Sequence, residues 1–327
     1  MLLRTIIPAL LLVLAAEAPA QTITDVDAYR AGLAKETDAN ALRRREAALK
    51  TPARTDREAM LERGLVLMRL YEMNGVDKDI SQARSDLERG ADRNPGDARL
   101  NYAYGLSNAI GHGVRVWSPF GVLNGMVVGQ SVAEIIKRDP VSKAKNSFKK
   151  ALAADPLLKG AALGLAALSL DGRDKDNLQV AAKALRHIKD QNQGGAEIAT
   201  ALSEVEAALG NLDAASSAAT AAVDMEAASS SALRAQAAAL LRQAERMDEG
   251  ARSYFEGVEH LDAEAANQYF EDVLPIANDR ERAQWTSADI NSRKEWLKRF
   301  WDVRAASGGV TVAERMGEHY TRLALAH

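Results

Sequence analysis

A 13-residue pattern occurs twice in the chain and limits the folds that it can adopt. Residues 83–95 read ARSDLERGADRNP, and residues 144–156 read AKNSFKKALAADP. In both copies small residues hold the first and eighth positions, a large apolar residue holds the fifth, and a proline ends the pattern. Small residues let two helices approach closely, and a proline stops a helix. The pattern therefore predicts a helix that packs tightly on a partner helix and is followed by a sharp turn.

Helical periodicity extends over most of the chain. Leu61, Leu65 and Met68 recur at the spacing of one helix face. A capping box from Thr55 to Glu58 is predicted to begin this helix, because the two side chains can satisfy each other's backbone amides. No segment alternates apolar and polar residues for long enough to predict a strand. The predicted fold class is therefore all-α.

The repeated pattern resembles the second helix of a tetratricopeptide repeat (TPR), a unit of about 34 residues built from two antiparallel helices. Gly64 and Gly105 stand at the small position in the first helix of two such units. Weaker copies of the second-helix spacing are Ala181, Leu185 and Ile188; Ala215, Ala219 and Ala222; and Ala251, Phe255 and Val258. The resemblance implies a right-handed superhelical solenoid of antiparallel helix pairs over residues 57–274, in which each unit buries its apolar face against the next. An irregular alanine-rich helical bundle is the alternative.

The start of the chain has the layout of a secretory signal peptide over residues 1–20. A single positive charge at Arg4 precedes an apolar run, and Ala18 and Ala20 flank Pro19 at the predicted cleavage site after Ala20. The chain contains no cysteine, so no disulfide requires an oxidising compartment. We therefore expect an exported bacterial protein in the periplasm, with residues 21–56 as a helical leader.

Residues 111–137 interrupt the second unit with an apolar, glycine-rich insertion. Trp117 and Phe120 lie within it, and a loop of this length is usually functional or mobile. Exposed apolar patches often mark interaction sites. Three roles follow, in decreasing order of expectation: a flap packed on the solenoid, an element that binds a partner or closes a groove, and a contact with a membrane surface.

Residues 275–327 differ from the repeats in their content of tryptophan. Trp285, Trp296 and Trp301 are three of the four tryptophans in the chain. Because the terminal units of a solenoid need a specialised outer surface, this segment is predicted to form an aromatic-rich helical cap.

Two helices are predicted within this C-terminal segment. Ser287 is expected to cap the first helix, which ends at Gly308 and Gly309. A capping box from Thr311 to Glu314 is expected to begin the second.

Residues 296–327 resemble the helical segment that precedes the core of bacterial GWxTD-domain proteins. The resemblance depends on Phe300, Trp301, Arg304 and the helix from Glu314 to Leu323. The Gly-Trp-x-Thr-Asp core itself does not occur in the sequence, so a truncated relative or a fragment is expected. The resemblance implies an exported bacterial protein and supplies no catalytic residue.

No cluster of residues in the sequence predicts a catalytic, cofactor or metal site. The formal net charge of −3 lacks the basic field of a nucleic-acid-binding protein. The five histidines include no pair at the i, i+4 spacing that places two metal ligands on one helix face. We therefore predict that the protein is not an enzyme, uses no cofactor or metal, and does not bind nucleic acid.

Two classes of function are consistent with these patterns. The first is an exported scaffold that binds a protein or peptide partner on the concave face formed by the first helix of each unit. Its predicted partner-binding residues are Arg99, Tyr102 and Leu106 in the second unit and Trp117 and Phe120 in the insertion. The alternative is an accessory enzyme or small-molecule-binding protein, with residues 111–137 as a lid over a helical pocket. Several titratable groups converging in one cleft would favour this alternative.

Overall fold

The computed structural model describes residues 22–110, 138–172 and 174–325, and within these ranges it contains sixteen α-helices and no strand. Their bounds are α1 Val26–Ala34, α2 Ala39–Leu49, α3 Arg57–Asn74, α4 Asp77–Arg93, α5 Ala98–Ile110, α6 Arg138–Ala154, α7 Lys159–Gly172, α8 Lys175–Asp190, α9 Ala196–Ala208, α10 Leu212–Met225, α11 Ser230–Leu240, α12 Met247–Glu259, α13 Ala263–Val273, α14 Asp279–Ser287, α15 Ile290–Gly308 and α16 Val312–Leu325. The predicted signal peptide and the predicted insertion, with Trp117 and Phe120, lie outside the described residues.

Helices α3 to α12 pack as successive pairs, in which each helix contacts the next one along the chain. The first helices of neighbouring pairs also contact one another, so α3, α5, α7, α9, α11 and α13 form one continuous row. The surface that this row presents is called the first-helix face below. Contacts limited to neighbouring units define a solenoid. The chain therefore has an all-α, TPR-like solenoid fold, as the repeats predicted, and is not an irregular bundle.

The repeated sequence pattern is explained by the packing of one large side chain into the space left by glycine. A Cβ atom added at Gly105 of α5 would lie 2.5 Å from Cε1 of Phe148, and one at Gly164 of α7 would lie 2.7 Å from Cε2 of the same ring. Gly64 of α3 accommodates Leu87 of α4 in the same way, with a distance of 2.5 Å to Cγ. Since these separations exclude any larger side chain, the predicted small positions are confirmed as helix contacts.

The weaker copies of the pattern are confirmed in two units and shifted in a third. The residues predicted for α8 and α10 are fully buried: Ala181, Leu185, Ile188, Ala215, Ala219 and Ala222. In α12, however, Tyr254 is fully buried while Phe255 is only partly buried. Gly250, Tyr254 and Gly257 repeat the same spacing one residue earlier, and Gly257 lies directly against the hydroxyl group of Tyr269. The predicted register of α12 was therefore wrong by one residue.

The predicted caps are partly corrected by the structure. Asp56, and not Thr55, caps α3, because its carboxylate accepts hydrogen bonds from the amides of Glu58 and Ala59. At the other end of the chain, Ser287 is the last residue of α14, and Asp289 caps α15 instead.

The predicted end of α15 and the predicted start of α16 are confirmed. Gly309 ends α15 with φ of 64°, a left-handed conformation that favours glycine. The amide of Thr311 donates to Glu314 at 2.8 Å, and the amide of Glu314 donates to the hydroxyl group of Thr311 at 3.2 Å, which is the predicted capping box.

An aromatic core joins the C-terminal helices to the end of the solenoid. The ring of Phe270 in α13 stacks on Trp285 of α14 at 4.8 Å between centroids, and Trp285 meets Trp296 of α15 edge to face at 5.2 Å. Trp301 is fully buried and contacts Tyr254 of α12 at 6.2 Å. Helix α16 packs on both α12 and α15. The aromatic-rich helical cap predicted from the tryptophans is therefore present.

Among the described residues, none of the helices combines the length and the apolar character that a membrane crossing requires.

Candidate interaction surface

The predicted partner-binding residues of α5 are all engaged in contacts within the chain. Leu106 is 1% exposed and belongs to the N-terminal core, and Tyr102 is 2% exposed. Arg99 is partly buried and binds the carboxylate of Glu58 and the backbone carbonyl oxygen of Ile23, which belong to two other segments. Partner binding by these three residues, and by Trp117 and Phe120 outside the described residues, stays a prediction.

Arg99 joins the N-terminal segment to the first turns of α3 and α5. Its guanidinium group donates to Glu58 at 2.8 Å, to Asp97 at 2.7 Å and to the carbonyl oxygen of Ile23 at 2.6 Å. Burial alone would raise the pKa of Asp97, but the hydrogen bonds from Arg99 lower it below its ordinary value. Arg99 therefore acts as a structural clamp in this conformation.

Tyr102 contacts the N-terminal helix α1. Its hydroxyl group donates to the carboxylate of Asp27 at 2.6 Å. A Cβ atom added at Gly160 in the first turn of α7 would lie 2.5 Å from Oδ2 of Asp27 and even closer to the Tyr102 hydroxyl group. Burial raises the pKa of Asp27, although the hydrogen bond from Tyr102 opposes this shift. The Asp27 carboxylate is thus enclosed by residues of α5 and α7.

Further contacts extend α1 along α3. Arg30 pairs with Glu72 at 3.0 Å, and Arg69 donates to the carbonyl oxygen of Ala34 at 3.0 Å. The side chains of Val26 and Leu33 are buried in the N-terminal core. As a result, α1 covers the first-helix face over α3, α5 and the start of α7. Sequence analysis missed this arrangement; Gly160, which has no role in the repeat pattern, was its only local signal.

A group of carboxylates lies where α1 meets the later units. Burial, together with the nearby carboxylates of Asp27 and Glu264, raises the pKa of Glu197 to about 7, and Lys159 opposes the shift. The Oε1 atom of Glu197 is buried and finds no hydrogen-bond partner among the described residues. The start of α9 is therefore a place where the folded chain carries an unfavourable electrostatic interaction.

Arg234 of α11 is the centre of a buried polar network. It binds Asp272 of α13 through two hydrogen bonds of 2.8 Å and Glu204 of α9 through a third of 2.8 Å. Tyr320 of α16 donates to Asp272 at 2.7 Å, and Nε2 of His319 lies 2.7 Å from the backbone oxygen of Asp272. Burial lowers the pKa of His319. This network holds the C-terminal cap to the first-helix row, because side chains of α9, α11, α13 and α16 form hydrogen bonds with one another.

The described surface includes two shallow depressions. One of about 430 Å³ lies beside Arg57 and Arg99, and one of about 500 Å³ lies between α12 and α16 beside Phe255 and Val312. Over the described ranges, no group of three or more side chains is placed to hold a metal ion. The lid predicted for the alternative function lies in residues 111–137, outside the described residues.

No family model and no curated protein matches the chain. Among solved structures, the chain is similar to a thermophilic TPR protein from Thermus thermophilus, with 19% sequence identity and a TM-score of 0.36. The similarity covers 71% of this chain and 97% of that chain. The resemblance to GWxTD-domain proteins stays a prediction. The TPR-like fold of the chain is established by its own helix pairing and by the glycine contacts between its units.

Proposed function

We propose that the protein is an exported, non-catalytic scaffold that binds a protein or peptide partner on the first-helix face. The observation that supports this function is the continuous row of first helices, which offers one extended surface along the stack. Solenoids use such surfaces to hold extended peptides or helices of other proteins. Among the described residues, the polar groups that converge around Arg234 are used in holding the cap.

Site-specific photo-crosslinking in the native cell tests the binding surface. A photoreactive amino acid would replace Lys159 of α7 or Glu264 of α13, two exposed residues of the first-helix row. Matched controls would carry it at Lys183 of α8 and Glu256 of α12, which are exposed on second helices. We expect both first-helix positions, and neither control, to capture the same protein, and that protein to bind the purified chain. Capture from the control positions alone would refute the proposal.

Export is proposed from the sequence of residues 1–20 and is tested separately. We expect the protein to be found in the periplasmic fraction of its native cell, with a mature N-terminus at Gln21. Recovery of the intact chain from the cytoplasm would contradict export while leaving the binding surface unaffected.

A further inference from the structure

Helix α1 is not half of a repeat. From α3 to α12 the helices pair with their chain neighbours, but α1 packs on α3 instead of forming a hairpin with α2. Helix α2 also packs on α3 and is fixed there by Arg45, which donates to Glu62 at 2.8 Å. The two N-terminal helices are thus attached separately, and α1 lies on the first-helix face as an added element.

The contacts of α1 are those of a bound peptide helix. Ile23, Val26 and Leu33 supply a buried apolar side. Asp27 in the first turn supplies one carboxylate, which accepts from Tyr102 at 2.6 Å. Backbone carbonyl groups at both ends of this segment accept hydrogen bonds from arginines of the solenoid. Arg99 donates to the carbonyl oxygen of Ile23 at 2.6 Å, and Arg69 donates to that of Ala34 at 3.0 Å. Apolar anchors, one charge and main-chain hydrogen bonds are the usual means of holding a helix in a groove.

The receiving surface is shaped around the Asp27 carboxylate. Tyr102 and Arg99 come from α5, and Gly160 comes from α7. Gly160 leaves room for the carboxylate and the tyrosine hydroxyl group, since any side chain there would overlap both. The site is therefore assembled from two repeat units.

Helix α1 is a poor competitor for this site. It has nine residues, and isolated helices shorter than about 12–15 residues are only marginally stable in water. It also contains Gly32, which lowers helix propensity although there is open space for a side chain. A partner helix without these defects would bind more strongly to the same surface.

We infer that the first-helix face of α3, α5 and α7 is a docking site for an amphipathic helix that is longer than α1 and has a carboxylate in its first turn, and that α1 occupies this site until such a helix displaces it. The inference rests on the proposed function and specifies the partner that the scaffold accepts. The partner presents an acidic residue to Tyr102, apolar side chains to the N-terminal core and a backbone carbonyl group to Arg99.

The test uses the full chain and a labelled synthetic peptide of residues 22–37 as the probe. In the Asp27→Ala chain the internal helix loses its bond to Tyr102, while α5 and α7 are unchanged. We expect this chain to bind the peptide at least about tenfold more tightly than the wild-type chain, as one charge-assisted hydrogen bond implies. Asp213→Ala, which removes an exposed first-turn carboxylate of α10, is the matched control and should bind as wild type does.

A second variant is expected to strengthen α1 in its competition with the added peptide. Gly32→Ala fills open space and raises the helix propensity of α1, so the full chain should bind the peptide about fivefold more weakly. Gly96→Ala, at another glycine with open space, is its control. Circular dichroism of each variant confirms that the helical fold is retained.

The inference is wrong if Asp27→Ala leaves peptide binding unchanged, or if a peptide with alanine at position 27 binds as tightly as the wild-type peptide. Failure of peptide binding with successful crosslinking at Glu264 would leave the proposed function and remove only this site. Peptide binding without any crosslinked partner would support the docking site and remove the scaffold proposal.

Discussion

The unit formed by α5 and α6 and the unit formed by α9 and α10 hold equivalent places in the stack but are packed differently. In the first, Phe148 fills the space between Gly105 and Gly164. In the second, the corresponding residue is Ala219, which is equally buried. A large side chain opposite glycine and a small one opposite small residues both give close packing. The comparison teaches that close contact between helices in this repeat does not require one particular side chain at the fifth position of the pattern.

The two regions also differ in the polar contacts that support them. Alanine buries little apolar area, so α9 and α10 gain less from the hydrophobic effect than α5 and α6 do. Here Glu206 of α9 accepts from Arg186 of α8 at 2.8 Å and from Asn211 at 2.8 Å, and Glu204 is bound by Arg234. Hydrogen-bonded charges thus connect the alanine-rich unit to the units on both sides of it.

Substitution of the large side chain should have the largest effect. Phe148→Ala leaves a cavity between two glycines, and we expect a loss of about 3–5 kcal/mol in the free energy of unfolding. The matched change in the other unit, Ala219→Gly, removes one methyl group and lowers helix propensity, with an expected loss of about 1 kcal/mol. Urea denaturation followed by circular dichroism measures both. Equal losses in the free energy of unfolding would show that the large side chain of Phe148 stabilises its unit no more than Ala219 stabilises the other.

Substitution of Arg234, the central cation of the polar network, should have the second-largest effect on stability. Arg234→Met removes the cation that Glu204 and Asp272 share and leaves Asp272 with the hydroxyl group of Tyr320 as its side-chain donor. We expect a loss of about 3 kcal/mol in the same measurement. Arg246→Met is the control, because the Arg246–Glu249 ion pair is substantially exposed and should contribute less than about 1 kcal/mol. A loss from Arg234→Met no greater than that of the control would mean that the network does not stabilise the cap.

Hydrogen exchange should locate the weaker region within the intact chain. The alanine-rich stretch from Ala199 to Ala239 should open locally before α5 to α8 do, because it buries less apolar area for each residue. We expect its amides to exchange about tenfold faster than those of α5 to α8 after correction for intrinsic rates. Uniform protection along the stack would contradict this expectation.

The smallest effect should be the pH dependence that Glu197 introduces. Below its ordinary pKa of 4.5 the group is protonated in both states and favours neither. Between pH 4.5 and about 7 the unfolded chain releases the proton that the folded chain retains, so stability decreases with rising pH and levels off above about 7. Glu197→Gln should therefore reduce the decrease in stability between pH 5 and pH 8, by less than about 1 kcal/mol because the group is partly exposed. Thermal denaturation at both pH values measures this, with Glu256→Gln at an exposed position as control. An unchanged pH profile would refute the assignment.

The stacking of units could be predicted from the sequence because it depends on local spacing. Gly64, Gly105 and the two copies of the 13-residue pattern determine which helix faces meet, and the structure confirms these contacts. The register of α12 could not be decided in this way. Tyr254 and Phe255 are adjacent aromatic residues, and a small residue lies four positions before each of them, Gly250 and Ala251 respectively.

Contacts between distant segments could not be predicted. The bond from Tyr102 to Asp27 joins residues far apart in sequence, and no periodicity links them. Likewise Glu58 was predicted to complete a capping box, but Arg99 binds it, because a charged pair is a stronger interaction than the reciprocal cap. Long-range polar contacts thus form the part of the candidate site that local sequence patterns do not predict.

The ring of Phe148, held between glycines of α5 and α7, joins α6 to two different helices. Closing a flexible loop costs only about 0.6 kcal/mol more for each doubling of its length, which is small beside the loss expected from Phe148→Ala. The connection that follows Ile110 is accordingly a graft point, and α5 and α6 should stay paired when an epitope, a reporter or a small domain is inserted there.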